Sequence, residues 1–302
     1  MRPKVTFLEN VPDLTQQVQL EDGTFQSDCD FIRTDFEENG FTVFIVVISR
    51  RDYSSPHNGL RLWIVLFDVL PSVGRQHEQK FYTLLNMMRI PQVMDVGRFL
   101  IDPDNLALMD PATVERSAKR VCKDSSWHSQ HEELFLENGM TWPPDLSHWP
   151  EAKQFRDREQ EIIFAANALH PPQAVNRYEF FDANMSLGRV FKPNKDNRTT
   201  SPWRDQVPTM SGGCVLVVRK MDEQKNVSMR RLHGLEAMRL QGWDLPLWEG
   251  DCSPCVTPQS TSNDLLQNLA GNMWSLFHFV PVFMAAMTAM PWETVLKERI
   301  IL

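Results

Sequence analysis

The sequence has few cysteines and tyrosines. It contains five Cys and three Tyr among 302 residues, although Trp and Phe are plentiful, with nine and eighteen. The cysteines are scattered along the chain, whereas small disulfide-stabilised secreted domains carry them in a dense set. The N-terminus has no apolar stretch of the signal-peptide type. We therefore expect an intracellular protein with an apolar core.

Positive charge is also scarce on average. The formal net charge is −8 and the isoelectric point about 5.5, which by itself argues against binding to nucleic-acid phosphates. The charge is unevenly distributed, however. Residues 186–239 contain eleven Lys and Arg against five acidic residues, a local charge of +6 that leaves −14 for the rest. From charge alone, this basic stretch is either a phosphate-facing surface or an ordinary solvated face.

One apolar segment is close to the minimum length of a membrane span. Residues 273–290 contain no Asp, Glu, Lys or Arg. The segment includes His278, Pro281 and two hydroxyl side chains, so we interpret it as a buried helix with Pro281 in its first turn, where a missing N–H costs little. We do not expect a membrane span.

Three apolar runs near the N-terminus are typical of strands: residues 5–8, 41–48 and 61–69. The run FTVFIVVI at 41–48 is continuously β-branched and aromatic, which predicts a strand buried on both faces. Residues 49–60 are too few for a crossover that contains a helix, so the sequence predicts that the second and third strands pair antiparallel.

The pattern of apolar residues is less regular between residues 75 and 203 and becomes regular again after residue 203. Further elements are predicted at these positions: helices near 81–89, 111–123 and 149–169, a strand at 214–219, and a short amphipathic helix at 233–243.

Four motifs occur in a fixed order. They are Glu9-Asn10-Val11 after the first strand; GFTV at 40–43 with DYSSPHNGLR at 52–61; Pro208-Thr209 with RLHGLEAMRLQGW at 231–243; and Ala270-Gly271-Asn272 before the apolar helix. In this order they resemble the later conserved motifs of the cytosine-C5 DNA methyltransferases. The run at 231–243 is the most specific of the four.

The resemblance implies an α/β fold, namely a partial Rossmann-like methyltransferase domain with an inserted irregular target-recognition region. Residues 1–75 would be C-terminal strands of the catalytic domain and residues 76–205 the target-recognition region. Residues 206–302 would carry the last catalytic-domain motifs and the closing helix.

The resemblance also implies roles for three catalytic residues. In this family a cysteine thiolate adds to C6 of cytosine before C5 is methylated. Glu9 would face ring N3 and donate a proton to it. Asn10 would hold the loop, and Arg61 would lie beside both the base and the acid.

Cofactor and nucleic-acid contacts are implied in the same way. The cofactor would be S-adenosylmethionine, with Gly271 and Asn272 lining its pocket. DNA would be the partner, and its target base must leave the duplex. We expect the DNA-contacting arginines to be these: Arg189, Arg198, Arg204 and Arg231. Such a protein would be nuclear or located in the nucleoid.

The departures from the family pattern limit the expected activity. His57 and Gly59 stand where the family has Gln and its first Arg. No Pro-Cys motif and no glycine-rich cofactor turn precede Glu9, and Pro254-Cys255 lies between the last two motifs. We therefore expect the chain to represent the C-terminal half of such an enzyme, to be inactive alone, and to be completed by missing sequence or a second chain.

Two other functions stay open: a non-catalytic nucleic-acid-binding remnant, and an RNA cytosine methyltransferase. We expect no metal site. Cys252 and Cys255 are only half of a zinc site, and Cys122, His128 and His131 have loose ligand spacing.

Overall fold

The structure is a computed structural model. It describes residues 3–57, 59–102, 126–149, 152–153, 155–184, 187–191, 203–211, 213–243, 263–290 and 292. The chain divides into two compact units. Unit 1 comprises residues 1–93 and 274–302, and unit 2 comprises residues 94–273.

Unit 1 is built on a three-stranded sheet. Its strands are β1 (Val5–Asn10), β4 (Thr42–Ser49) and β5 (Leu60–Phe67), in the order β1-β5-β4. Both neighbours run antiparallel to β5, which confirms the predicted antiparallel pairing of the second and third strands. As a consequence, β1 and β4 are parallel to each other, with β5 reversed between them. A small hairpin of β2 (Val18–Gln19) and β3 (Phe25–Gln26) is separate from this sheet.

The central strand β5 is buried on both faces. Because side chains alternate along a strand, Trp63, Val65 and Phe67 enter one apolar cluster. Leu62, Ile64 and Leu66 enter another on the opposite face. Both sides of the sheet therefore carry a core, as expected for a sheet covered by helices on two faces.

Among the residues that the structure describes, four α-helices belong to unit 1: α1 (Asp28–Glu38), α2 (Pro71–Gly74), α3 (Glu78–Met87) and α9 (Leu276–Ala289). The sequence interpretation had not included α1. Its start is fixed by a capping box, in which the Ser27 side chain accepts from the backbone N–H of Asp30 and the Asp30 carboxylate accepts from that of Ser27. Helix α1 covers the cluster around Leu62, and α3 packs against α9 on the other side.

Helix α9 presents one apolar face to the core of unit 1: His278, Val282, Ala285, Ala286 and Ala289 are its buried residues. The expectation that Pro281 lies in the first turn is wrong. The helix begins at Leu276, so Pro281 is its sixth residue and interrupts the hydrogen-bond ladder inside the helix.

By length and composition alone, the helical stretch Asn263–Ala289 would suffice for a membrane span, and 33% of its most apolar window is buried. Residues 273–275 separate this stretch into two helices, α8 (Asn263–Asn272) in unit 2 and α9 in unit 1.

Unit 2 contains an antiparallel four-stranded sheet in the order β7-β6-β8-β9. The strands are β6 (Tyr178–Asp182), β7 (Trp203–Arg204), β8 (Leu216–Met221) and β9 (Val227–Arg231). The α-helices in its described part are α4 (Ser126–Glu137), α5 (Asp157–Leu169), α6 (Leu187–Phe191), α7 (Gly234–Leu240) and α8. One face of the sheet packs against α4, α5 and α6, and the other against α7 and α8.

The predicted elements of unit 2 were partly right. Helix α7 lies within the predicted amphipathic segment and β8 overlaps the predicted strand at 214–219, whereas α5 begins only at Asp157. Strands β6 and β9 and helix α4 had not been predicted. The helix predicted near 111–123 lies outside the described residues.

The specific run at residues 231–243 forms the junction of β9, α7 and α8. Glu236 is fully buried, and its carboxylate accepts hydrogen bonds from both Nη atoms of Arg230, at 2.8 and 2.7 Å, and from the backbone N–H groups of Ile101 and His233. Gln241 donates to the carbonyl of Ala270 at 2.9 Å. These bonds connect α7 with α8 and with the segment around Ile101.

Gly234 allows α7 and α8 to approach closely. A Cβ at this position would lie 2.3 Å from Cβ of Leu266 and 2.9 Å from the backbone oxygen of Asn263. The N–H of Gly234 also donates to the Asn263 side chain. Any side chain at position 234 therefore forces the two helices apart.

We expect Gly234→Ala to destabilise unit 2 by about 1–3 kcal/mol, the usual range for overpacking. Denaturant unfolding followed by tryptophan fluorescence measures the change. The matched control is Gly188→Ala in α6, where an added Cβ meets no atom within 4 Å and the higher helix propensity of alanine applies. Equal stability of the two variants would contradict the close-packing argument.

Candidate active site

Glu9 and Arg61 form an ion pair in unit 1. The register places Glu9 of β1 opposite Trp63 of β5, two residues from Arg61. Directly opposed residues and residues two apart on a strand share a face, so both charged side chains lie on the face of Trp63. Nε of Arg61 lies 2.6 Å from Oε1 of Glu9, with side chains 15% and 20% exposed.

Burial and charge act in opposite directions on Glu9. Partial burial raises the pKa of Glu9 above its ordinary value, and the positive charges of Arg61 and Arg50 oppose that rise. The net effect is upward, because loss of hydration disfavours the carboxylate more than the two cations favour it. The environment therefore favours a protonated Glu9 more than water does.

Asn10 ends β1 and has a local structural role. Its side-chain oxygen accepts a hydrogen bond from the N–H of Val11 at 2.8 Å, and a 3₁₀ helix follows at Pro12–Thr15. The amide therefore fixes the chain direction immediately after Glu9. The catalytic roles assigned to these residues stay predictions.

Sequence reasoning overlooked Arg50. It follows β4 directly, is 2% exposed, and its backbone N–H donates to the carbonyl of Gly59 at 3.1 Å, which closes the β4–β5 connection. Burial lowers the pKa of Arg50 to about 10, assisted by Arg61 and opposed by Glu9. In the sequence, the pattern that could have pointed to Arg50 is a pair of adjacent arginines at the end of an apolar run.

Two histidines contribute to the same environment. His57, which replaces the family's Gln, is fully buried in the β4–β5 connection. His278 in the first turn of α9 is also fully buried; burial lowers its pKa to about 2, with further lowering by Arg50, Arg61 and His57. At neutral pH His278 is therefore uncharged.

The two residues that the family resemblance assigns to the cofactor pocket lie in unit 2. Gly271 and Asn272 are the last residues of α8, and Asn272 is exposed. Among the described residues, no glycine-rich turn joins a strand to a helix.

Three arginines of the basic stretch bind other side chains of unit 2. Arg219 is buried, with Nε 2.7 Å from Glu179. Arg230 binds Glu236, and Nη2 of Arg231 lies 2.7 Å from Asp264 and 2.8 Å from Gln267. Of the other predicted DNA-contacting arginines, Arg189 lies in α6 and Arg204 in β7, and Arg198 lies outside the described residues.

The cysteines that the structure describes are unsuited to be nucleophiles. Cys29 and Cys214 are buried in apolar clusters, and burial raises the pKa of both thiols. Cys122, Cys252 and Cys255 lie outside the described residues. Within the described part of the chain, no group of three or more His, Cys, Asp or Glu side chains is arranged to hold a metal ion; His131 instead pairs with Glu161 at 2.6 Å.

One family model matches most of the chain. The family model for C-5 cytosine-specific DNA methylases matches residues 1–249. No curated protein matches the chain. Among solved structures, the Dnmt2 methyltransferase of S. pombe is similar at 11% identity and a TM-score of 0.39. The match covers 94% of this chain but only 66% of that one, so this chain spans slightly less than two thirds of that protein.

We expect Arg61→Met to raise the pKa of Glu9 further, because the largest opposing charge is lost. A carbon-13 NMR titration of the Glu9 carboxyl group measures the pKa. A raised pKa means that the folded state binds the proton more tightly, so unfolding free energy falls as pH rises from 4.5 through the folded-state pKa. This fall should be larger in the variant.

The control is Arg75→Met, which removes an exposed arginine paired with Glu37 in the same unit. It should leave the Glu9 titration unchanged. An unchanged or lower pKa of Glu9 in Arg61→Met would show that the ion pair is not formed in solution.

Proposed function

Because the chain belongs to the C-5 cytosine-specific DNA methylase family, we propose that it forms the base-binding part of a cytosine-C5 methyltransferase and corresponds to the C-terminal half of such an enzyme. The single observation that carries the proposal is the Glu9–Arg61 pair at the end of β1. It joins two of the four motifs, which are 52 residues apart in the sequence.

The pair suits the first chemical step of the reaction. When a thiolate forms a bond to C6 of cytosine, the electron pair of the C5–C6 double bond shifts to form a C4–C5 double bond. The electron pair of the C4–N3 double bond then moves onto N3, where negative charge develops. A protonated Glu9 carboxyl facing N3 donates its proton there. The raised pKa of Glu9 favours that protonated form, and the remaining N–H donors of Arg61 are suited to the carbonyl of the base.

The thiolate and most of the cofactor site would come from sequence outside this chain. Cys29 and Cys214 are buried with raised pKa values. S-adenosylmethionine would supply the methyl group, and this chain contributes Gly271 and Asn272 as one wall. The missing parts would be joined to this chain or supplied by a second chain.

The edge of β1 supports the proposal that further sequence or a second chain completes the domain. Among the described strands, β1 pairs only with β5, so its other edge can accept a further strand. Beside it, Phe7 packs against Phe279 and Phe283 of α9, and Phe283 and Met284 are exposed. A further strand with its own covering layer would bury these apolar side chains.

We propose duplex DNA as the substrate and, accordingly, a nuclear or nucleoid location. The target base would be extruded to reach Glu9. The basic stretch would contact phosphates through Arg189, Arg198 and Arg204. Arg231 contributes less in this proposal, because its guanidinium is already bound by Asp264 and Gln267.

A second candidate function is a non-catalytic nucleic-acid-binding protein. The observation in its favour is the replacement of the family's Gln and first Arg by His57 and Gly59, where His57 is fully buried in the loop that should anchor the base. An RNA cytosine methyltransferase is the third candidate, since the reaction on the base is the same.

The isolated chain should transfer no methyl group from labelled S-adenosylmethionine to mixed-sequence duplex DNA or to structured RNA, because no described thiol is activated. Adding a family N-terminal half that carries a Pro-Cys loop and a glycine-rich turn should restore transfer. In that complex, Glu9→Gln should lower the rate about 10²–10⁴-fold, the usual contribution of a general acid.

Glu37→Gln, a glutamate paired with Arg75 away from the sheet face of Trp63, is the control and should retain full rate. Turnover by the isolated chain that is abolished by Cys255→Ser would overturn our placement of the nucleophile. Binding of nucleic acid without turnover in any complex would favour the non-catalytic function. The labelled product identifies DNA or RNA as the substrate.

The chain should bind duplex DNA despite its acidic isoelectric point, because the local field governs contact. The logarithm of affinity should fall linearly with the logarithm of salt concentration, and replacing Arg189, Arg198 and Arg204 by Gln should reduce that slope by about 3. Fluorescence anisotropy at several salt concentrations measures it.

Replacement of Arg33, Arg75 and Arg89 in unit 1 by Gln is the charge-matched control and should leave the slope unchanged. If both triple variants reduce the slope equally, net charge rather than the basic stretch governs binding, and the proposed DNA surface is wrong.

A further inference from the structure

Glu9 has one large apolar neighbour on its face of the sheet. The register pairs Glu9 directly with Trp63, and directly opposed residues on neighbouring strands have Cβ atoms about 4.5–5.5 Å apart. The other side chains of β1 and β5 beside Glu9 on this face are Phe7, Arg61 and Val65. The indole of Trp63 is therefore the largest apolar group next to the Glu9 carboxyl.

The indole of Trp63 is held in place by rings at the start of α9 and just before it. Trp63 is fully buried, and the centroid of its ring lies 5.2 Å from that of Trp274, 5.7 Å from that of His278 and 5.7 Å from that of Phe279. Side chains packed in this way interdigitate and leave few voids large enough for a water molecule. The indole therefore keeps water out of the space that it fills beside Glu9.

Trp63 contacts its surroundings through its apolar surface. Its one polar side-chain atom, Nε1, is buried and has no hydrogen-bond partner among the described residues. Arg61, in contrast, reaches Oε1 of Glu9 at 2.6 Å. The Glu9 carboxyl thus has a charged partner and, directly opposite on the sheet, an aromatic ring that removes hydration without offering a hydrogen bond in return. Such an apolar neighbour disfavours the ionised form of a carboxyl group.

The charged groups near Glu9 act against its raised pKa. The titratable groups that interact with one another in this region are Glu9 itself, Arg61 in β5, Arg50 and His57 in the β4–β5 connection, and His278 in α9. Arg61 and Arg50 both lower the pKa of Glu9, and a charged histidine would do the same. Loss of hydration is the first cause of the rise, so an apolar neighbour has to provide it.

We propose that Trp63 is a positioning residue for Glu9, whose indole excludes water from the carboxyl group and so keeps the proton on Glu9. The inference rests on the proposed function, in which this proton moves from a carboxyl oxygen of Glu9 to N3 of the target cytosine while the thiolate bonds to C6. Trp63 is fully buried, so it acts through Glu9 and does not touch the base. The Glu9 side chain is 20% exposed and stays accessible to a base.

The test compares Trp63→Leu with Phe67→Leu in the full chain. Phe67 is equally buried, belongs to the same apolar cluster and lies in the same strand, but it is opposite Val5 rather than Glu9. Each variant loses a buried aromatic ring, so each loses stability for the same reason. The pKa of Glu9 is measured by carbon-13 NMR at a temperature below the cooperative unfolding transition of both variants.

In Trp63→Leu, the space left beside the Glu9–Arg61 pair adjoins polar groups and can hold water, so the pKa of Glu9 should fall towards 4.5. Phe67→Leu should leave that pKa unchanged. Trp63→Phe keeps an aromatic ring and lacks the buried N–H, so it should fold and give a Glu9 pKa between those of Trp63→Leu and the unchanged chain.

The pH profile of methyl transfer gives a second readout, in the complex with a family N-terminal half. Because the reaction needs protonated Glu9, kcat/KM should fall as pH rises above the pKa of Glu9. Trp63→Leu should move this fall to lower pH, whereas Phe67→Leu should not. Above that pH, the rate of Trp63→Leu should be lower by about tenfold for each unit by which the pKa of Glu9 has fallen.

An unchanged pKa of Glu9 in Trp63→Leu, or an equal fall in Phe67→Leu, would overturn the proposal. If Trp63→Leu does not fold, Trp63→Phe decides, and a Glu9 pKa equal to that of the unchanged chain then contradicts the role of Trp63. A lowered pKa of Glu9 without turnover in any complex would refute the proposed function and would leave the effect of Trp63 on the Glu9 proton established.

Discussion

The reversed central strand β5 is the constraint on which unit 1 depends. It pairs with β1 on one side and β4 on the other, and its alternating side chains divide between two apolar cores. A shift of its register by one residue would exchange these two sets of side chains between the faces. The same register carries Arg61 to Glu9, so the packing of the sheet and the geometry of the ion pair are fixed together.

Several ionisable side chains lie together in a buried part of unit 1. Arg50, Arg61 and Glu9 share a partly desolvated region with two buried histidines, and electrostatic interactions are strong there because water is largely excluded. The pKa of Glu9 is raised, whereas those of Arg50 and His278 are lowered. All three shifts follow from desolvation as the first cause. A surface with the same residues would titrate almost normally, so burial is what gives this region its chemistry.

The sequence indicated the elements with strong local patterns and missed those that depend on distant partners. The continuous apolar runs predicted β4 and β5, and the short connection predicted their antiparallel pairing. By contrast, α1 is largely polar and β9 contains two adjacent arginines, so neither carries a clear periodic pattern; both are stabilised by capping or by neighbouring elements. Glu9 and Arg61 were found by resemblance to known motifs. Arg50 was not, because the arginine pair after the apolar run does not show that one of the two is buried; only the folded chain shows this.

The buried carboxylate of Glu236 gives the motif at residues 231–243 a structural role. Resemblance to the family in this motif therefore does not by itself indicate catalysis. Four donors converge on it, and neighbouring motif residues such as Gly234 and Gln241 serve the contact of α7 with α8. Selection on this segment can therefore act through folding, whether or not a base is ever methylated. A lineage that lost its catalytic residues would be under pressure to keep this run of sequence as long as unit 2 had any use. Sequence similarity in this segment therefore indicates a shared fold. Evidence that catalysis is preserved has to come from the residues around Glu9 and Arg61.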